Sequence, residues 1–211
     1  MKSLTLAILV ILLSSTLNCF AQTAEELQKK YTVFNRTISA GTEPGSIHLN
    51  DGAGEGHAWL NGAKFTNGTI EVDIKGKDKL QGSFVGITFH GVNDSTFEAI
   101  YFRPFNFSNP DTIRRWRAVQ YISLPRYEWD KLREKFPGKY ENKVNPVPGG
   151  DDWFHCKIII SGKMISVFVN NSSIPSLVVN KLTDTTTGKI GLWIENGSDG
   201  SFADLTITAK K

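Results

Sequence analysis

A chain of 211 residues, 40% hydrophobic and 21% charged, can build one large core and is far from the composition of a disordered segment. Its formal charge of +3 and its densest basic cluster, Arg114-Arg115-Trp116-Arg117, are too slight for a nucleic-acid footprint. The apolar run from Leu4 to Leu13 is too short to span a membrane.

That run follows Lys2 and leads through Ser14 and Ser15 to Cys19-Phe20-Ala21-Gln22. This is the layout of a secretory signal peptide, with cleavage expected after Ala21. Residues 22–211 then form one mature domain, exported to the periplasm or beyond the cell. A lipid anchor at Cys19 is the less favoured alternative. Thr16-Leu17-Asn18 before it lacks a leucine three places upstream and small residues between. Cys156 is the only mature cysteine, so no intramolecular disulfide is expected. Between Phe154 and Ile158 it reads as an inert buried thiol.

Along the mature chain a short helical lead-in, Thr23–Lys30, precedes a series of period-two segments. Strands are predicted at Tyr31–Asn35, Ser46–Asn50, His57–Leu60, Thr69–Lys75, Ser83–Val92, Phe97–Arg103 and Arg117–Leu124. They continue at Trp153–Ser161, Lys163–Asn170, Ser176–Asn180, Lys189–Glu195 and Ser201–Ala209. Asn61-Gly62, Asn67-Gly68, Ser161-Gly162 and Asn196-Gly197 supply turn signals between them. The pattern implies an all-β, antiparallel sandwich or barrel. Tyr127–Phe136 interrupts it as a short helix, stopped by Pro137-Gly138. Such an insertion either carries function or caps an apolar sheet.

Phe65-Thr-Asn-Gly-Thr-Ile-Glu-Val-Asp-Ile74, Gly86-Ile-Thr-Phe-His90, Gly188-Lys-Ile-Gly-Leu-Trp-Ile194 and Phe202-Ala-Asp-Leu-Thr-Ile207 resemble the concanavalin A-like lectin/glucanase superfamily. The chain is similar to laminin-G-type modules and to secreted 3-keto-disaccharide hydrolase domains. The resemblance implies a two-sheet jelly-roll sandwich with carbohydrate bound on its concave face. It also implies a structural Ca2+ near the chain ends, for which Asp204 is the chosen ligand; no cofactor is required.

Glu71-Val-Asp73-Ile74 resembles the opening of a glucanase catalytic strand, whose carboxylates line one face. Lys75-Gly-Lys77 follows where a third acid is needed, so a two-carboxylate retaining mechanism is disfavoured. No Gly-x-Ser-x-Gly elbow and no metal-spaced histidine pair occurs.

The alternation places Val85, Ile87 and Phe89 in the core, with Gly86, Thr88 and His90 opposite. With Ile100 and Phe102 also inward, Ala99, Tyr101 and Arg103 join that second face, continued by Ala118 and Gln120 and bordered by Glu71 and Asp73. Small residues at Gly86, Ala99 and Ala118 would leave room there. This register buries Glu98, which needs a partner or a bulge; the opposite register puts Glu98 in the groove and Tyr101 in the core. Arg103, Gln120 and Glu71 suit sugar hydroxyls, while Tyr101 and Trp129 suit sugar ring faces. Three readings stand. Glycan binding is favoured, a 3-keto-disaccharide hydrolase using His90 or Glu98 as base is second, and a laminin-G-type protein-interaction module is weakest.

Overall fold

The computed structural model describes residues 22–195 and 197–210; the expected leader, residues 1–21, lies outside the described residues. Helix α1 (Ala24–Lys30) starts at a capping box in which the Glu26 amide donates to Thr23 Oγ1 and the Thr23 amide donates to Glu26 Oε2. It buries Leu27 and hands the chain to the first strand.

The described residues form two antiparallel sheets of seven strands each, numbered in chain order. The first runs β1 (Tyr31–Phe34), β4 (Gly56–Leu60), β13 (Lys189–Ile194), β6 (Val85–Asn93), β7 (Thr96–Phe102), β8 (Val119–Leu124) and β9 (Glu141–Asn142). The second runs β12 (Leu177–Asn180), β11 (Met164–Val169), β10 (Phe154–Ser161), β5 (Gly68–Lys75), β14 (Gly200–Ala209), β3 (Ile47–Leu49) and β2 (Ile38–Ala40). All twelve predicted strands are present. The two additions, β2 and β9, have three and two residues, too few to show a period.

Strand β5 shows how alternation builds the core. Ile70, Val72 and Ile74 are fully buried, and their β10 partners Ile158, Cys156 and Phe154 are buried beside them. Burial of each such aliphatic side chain contributes about 1.5–3 kcal/mol relative to exposure. Glu71 and Asp73 point outward to solvent, where His155 Nδ1 lies 2.7 Å from Asp73 Oδ1 and Lys157 Nζ lies 3.5 Å from Glu71 Oε1. Glu71 therefore stands on the outer face of the second sheet. It does not border the face that carries Tyr101, because β5 pairs with β10 and β14 and has no place beside β6 or β7.

The first sheet is buried on both faces. Cross-strand pairs Val85–Phe102 and Ile87–Ile100 face the second sheet, where Phe102 packs edge-on to Phe154 at 4.9 Å. The opposite face carries Gly86, Thr88, Ala99, Tyr101, Gln120 and Trp193, all in register. The chain between β7 and β10 folds over this second face. It contains a 3-10 turn (Pro104–Asn106), α2 (Thr112–Arg115) and α3 (Trp129–Lys135). Helix α3 packs against β8 and buries Leu132.

That face is accordingly no open hollow floored by backbone. Gly86, Ala99 and Ala118 are sealed, and a Cβ on Gly86 would come within 2.2 Å of the Ile100 carbonyl oxygen and 2.6 Å of Tyr101 Cα. The small residues permit close strand and aromatic packing, with Tyr101 and Trp193 ring centroids 4.9 Å apart.

Candidate functional site

A cavity of about 340 Å3 opens at the end of this covered face. It lies where β7 leaves the sheet, the 3-10 turn begins, α3 crosses and β13 ends. Arg103, Asn106, Trp129, Arg133 and Glu195 line it, with Phe84 and Phe105 supplying apolar wall. The helix insertion both caps the sheet and reaches the cavity. Leu132 covers the sheet, and Trp129 and Arg133 form part of the cavity wall.

Arg103 is the organising residue. Its guanidinium lies over the Tyr101 ring at 4.8 Å and the Phe84 ring at 5.8 Å. It donates to Tyr101 Oη at 2.5 Å, to Gln120 Oε1 at 3.2 and 3.3 Å, and to the Arg117 carbonyl at 2.9 Å. Tyr101 and Gln120 are fully buried and do not line the cavity; their hydrogen bonds hold Arg103 in place. Glu141 on β9 receives Arg133 through Nε at 2.9 Å and Nη2 at 2.6 Å, and lies 4.0 Å from Arg103. A bidentate pair of this kind fixes geometry as well as charge. The Arg133 guanidinium also sits 4.9 Å above the Trp129 ring, orienting the indole at the rim.

Asn106 and Glu195 are cavity residues that no sequence pattern singles out. Asn106 is 3% exposed; its Nδ2 donates to the Arg117 carbonyl, while its Oδ1 is buried without a hydrogen-bond partner. A buried unpartnered carbonyl is costly unless something donates to it. Glu195, the last residue of a predicted strand, presents the one carboxylate among the described residues lining the cavity. Burial raises its pKa, opposed by nearby Arg103 and reinforced by Glu128. On the same side of the molecule, burial with Glu195 and Glu128 nearby pushes Glu55 up to about 7. Only the assembled fold brings β4, β13 and the start of α3 close enough for these carboxyl groups to feel one another.

His90 and Glu98 stand apart from the cavity. Strand β6 carries a register shift between Phe89 and Asn93, and His90 sits within it at φ 50°. Uninterrupted alternation would place His90 on the covered face. The bulge instead turns its ring into the interior, with Nδ1 2.8 Å from Glu98 Oε1 and Nε2 2.8 Å from the Thr66 carbonyl. Glu98 shares the inner face with Ile100, as the first register expects, and finds the partners that position demands. Tyr121 Oη donates to its Oε2 at 2.5 Å and Lys181 Nζ lies 3.7 Å from Oε1. Both residues are 1% exposed. The Thr66 carbonyl can only accept, so Nε2 carries a proton; Lys181 also bonds the Thr185 carbonyl and lines a separate depression with Asn67 and Asp184.

Asp204 sits in the bulge of β14 at φ 52° and lines a small cavity of about 30 Å3 with Gln22, Lys30 and Tyr31. Among the described residues no three His, Cys, Asp or Glu side chains come together as a metal-binding group, and no helix is long and apolar enough to cross a membrane.

The model of the 3-keto-alpha-glucoside-1,2-lyase-like domain matches residues 21–208. Nothing among curated proteins matches. The fold is similar to the carbohydrate-binding module CBM66 from Bacillus subtilis, at 14% identity and a TM-score of 0.63, covering 85% of this chain and 96% of that one. A Bacillus subtilis protein of unknown function with a galectin-like fold matches at 13% identity and 0.58, over 89% and 92% of the two chains. The exoplasmic/lumenal domain of VIP36, in its Ca2+/Man3GlcNAc-bound form, matches at 10% identity and 0.52, over 87% of each. The architecture is thus that of the concanavalin A-like lectins and glucanases, and the chain belongs to the 3-keto-alpha-glucoside-1,2-lyase-like domain family.

Proposed function

We propose that this is an exported saccharide-binding protein whose ligand enters the cavity between α3 and the end of β13. The carrying observation is that one cavity is lined both by Trp129, exposed at its rim, and by Asn106, whose Oδ1 is buried without a hydrogen-bond partner. Sugar rings offer apolar C–H faces and hydroxyl donors, and an indole beside a fixed acceptor satisfies both. The resemblance to CBM66 and VIP36 supports the reading, and the leader-like N-terminus supports export.

The test is titration of the mature chain with a panel of oligosaccharides, comparing Trp129→Ala and Asn106→Ala. Trp129 is 37% exposed, so its removal leaves the core intact. Loss of the stacking surface is expected to weaken binding by about tenfold. Unchanged affinity in both variants would remove the site.

A second reading, cleavage of a 3-keto-glycoside, is favoured by one observation: Glu195 lines the same cavity beside Arg103. In its carboxylate form Glu195 would take the proton from the carbon between the ketone and the anomeric centre. The C–H electron pair then forms the ring double bond as the glycosidic oxygen leaves with the bonding pair and collects a proton. A raised pKa makes Glu195 a stronger base at neutral pH than an ordinary carboxylate. Product release from 3-keto-glucosides, abolished in Glu195→Gln with binding retained, supports this reading; retention without product leaves binding alone.

A further inference from the structure

The cavity wall contains two arginines whose donors are not spent. Arg103 makes four hydrogen bonds, and Arg133 makes two to Glu141. Arg114 and Arg117 also line the cavity, and neither guanidinium has a hydrogen bond to a described residue. Their nearest carboxylates are both 3.8 Å away: Asp111 for Arg114 and Glu141 for Arg117. Both oxygens of Glu141 are already taken by Arg133. The two arginine side chains are 37% and 38% exposed, enough to meet a ligand and too little to be loose surface groups.

A guanidinium is donor-only, with five N–H groups in a planar fork. Two such forks at one mouth match a group of acceptor oxygens that carries charge. A neutral hydroxyl would use one donor and bring its own proton as well. Glu195 does not fulfil this role for them: among the described residues their ion pairs are with Asp111 and Glu141. The remaining lining suits a sugar ring, as argued above.

We infer that the ligand is an acidic saccharide, whose ring carboxylate or sulfate is gripped by Arg114 and Arg117 while Trp129 and Asn106 hold the sugar. This rests on the saccharide reading of the cavity and narrows it to a charge class. Charge-assisted hydrogen bonds are roughly twice as strong as neutral ones. The acidic ligand should therefore bind about tenfold or more tightly than a neutral counterpart, and the difference should shrink in high salt.

The experiment is calorimetric titration of the mature chain with three probes: an oligogalacturonate, a sulfated galactan oligosaccharide and a neutral galacto-oligosaccharide. Arg114→Gln, Arg117→Gln and Trp129→Ala are compared, with melting curves confirming that each folds. The expected result is preference for one or both acidic probes, abolished by the arginine variants. Trp129→Ala should weaken all binding and leave the preference. Binding by the oligogalacturonate alone assigns a carboxylate, and by the sulfated probe alone a sulfate. Equal or tighter binding of the neutral probe overturns the inference and leaves the saccharide site standing, as does a preference that survives both arginine variants. Binding of none of the probes overturns the inference, while retention of other sugars across the wider panel shows whether the saccharide site itself survives.

Discussion

His90 Nδ1 stands 2.8 Å from Glu98 Oε1 in the space between the two sheets. The imidazole arrives there through the bulge of β6, and the carboxylate is brought there by β7 through an unbroken register. Tyr121 and Lys181 complete the cluster. Glu98→Ala would leave His90 Nδ1 and Tyr121 Oη without their hydrogen-bond partner and Lys181 without its carboxylate neighbour. Breaking one partner of a buried ionic cluster typically costs about 3–5 kcal/mol. The expected outcome is a large fall in melting temperature with saccharide affinity of the folded fraction unchanged. A stable Glu98→Ala variant that has lost only ligand binding would return these residues to the site.

Gly86 is a packing position. Its added Cβ would strike backbone atoms of β7, which cannot swing aside like a flexible side-chain end. Gly86→Ala is expected to destabilise by about 1–3 kcal/mol or more through overpacking, read from denaturant unfolding. A neutral result would mean the β6–β7 spacing is wider than the structure shows.

Two groups on the covered side set opposing pH slopes. Glu55 is protonated in both folded and unfolded states below about 4.5. Between there and about 7 the unfolded chain releases a proton that the fold retains, so stability falls as pH rises. Burial lowers the His57 pKa to about 4. Its stability contribution is complete above 6.5 and is lost as pH falls from 6.5 towards 4, because only the unfolded imidazole takes up a proton. Glu55→Gln should therefore raise the melting temperature most above pH 7 and least below 4.5. It should also expose the acid-side loss due to His57. An equal gain at every pH would contradict a Glu55 carboxyl whose pKa burial has raised.

Cys156 is fully buried on β10, and burial pushes its thiol well above the ordinary value. The thiolate is the reacting species, so labelling should track unfolding. A thiol reagent is expected to modify it only at denaturant concentrations that melt the sandwich. Prompt labelling of the native protein would place the thiol at an opening that the fold does not have.

By itself the amino-acid sequence determined the strand series, the helix over part of 127–136 and the inward set Val85, Ile87 and Phe89. These follow from period-two alternation and turn residues, which act over a few neighbouring positions. For β7 it left two registers open, and strand pairing chose the one that turns Ile100 and Phe102 inward and puts Tyr101, Arg103 and Gln120 on one face. Tertiary structure decided the rest. Glu71 went to the other sheet because strand pairing is a long-range choice that local pattern does not encode. His90 turned inward because one positive φ at a bulge reverses the side that alternation assigns. The cavity joins Arg103 and Asn106 to Trp129 and Glu195, which lie far along the chain and meet only when α3 closes over the end of the sheet.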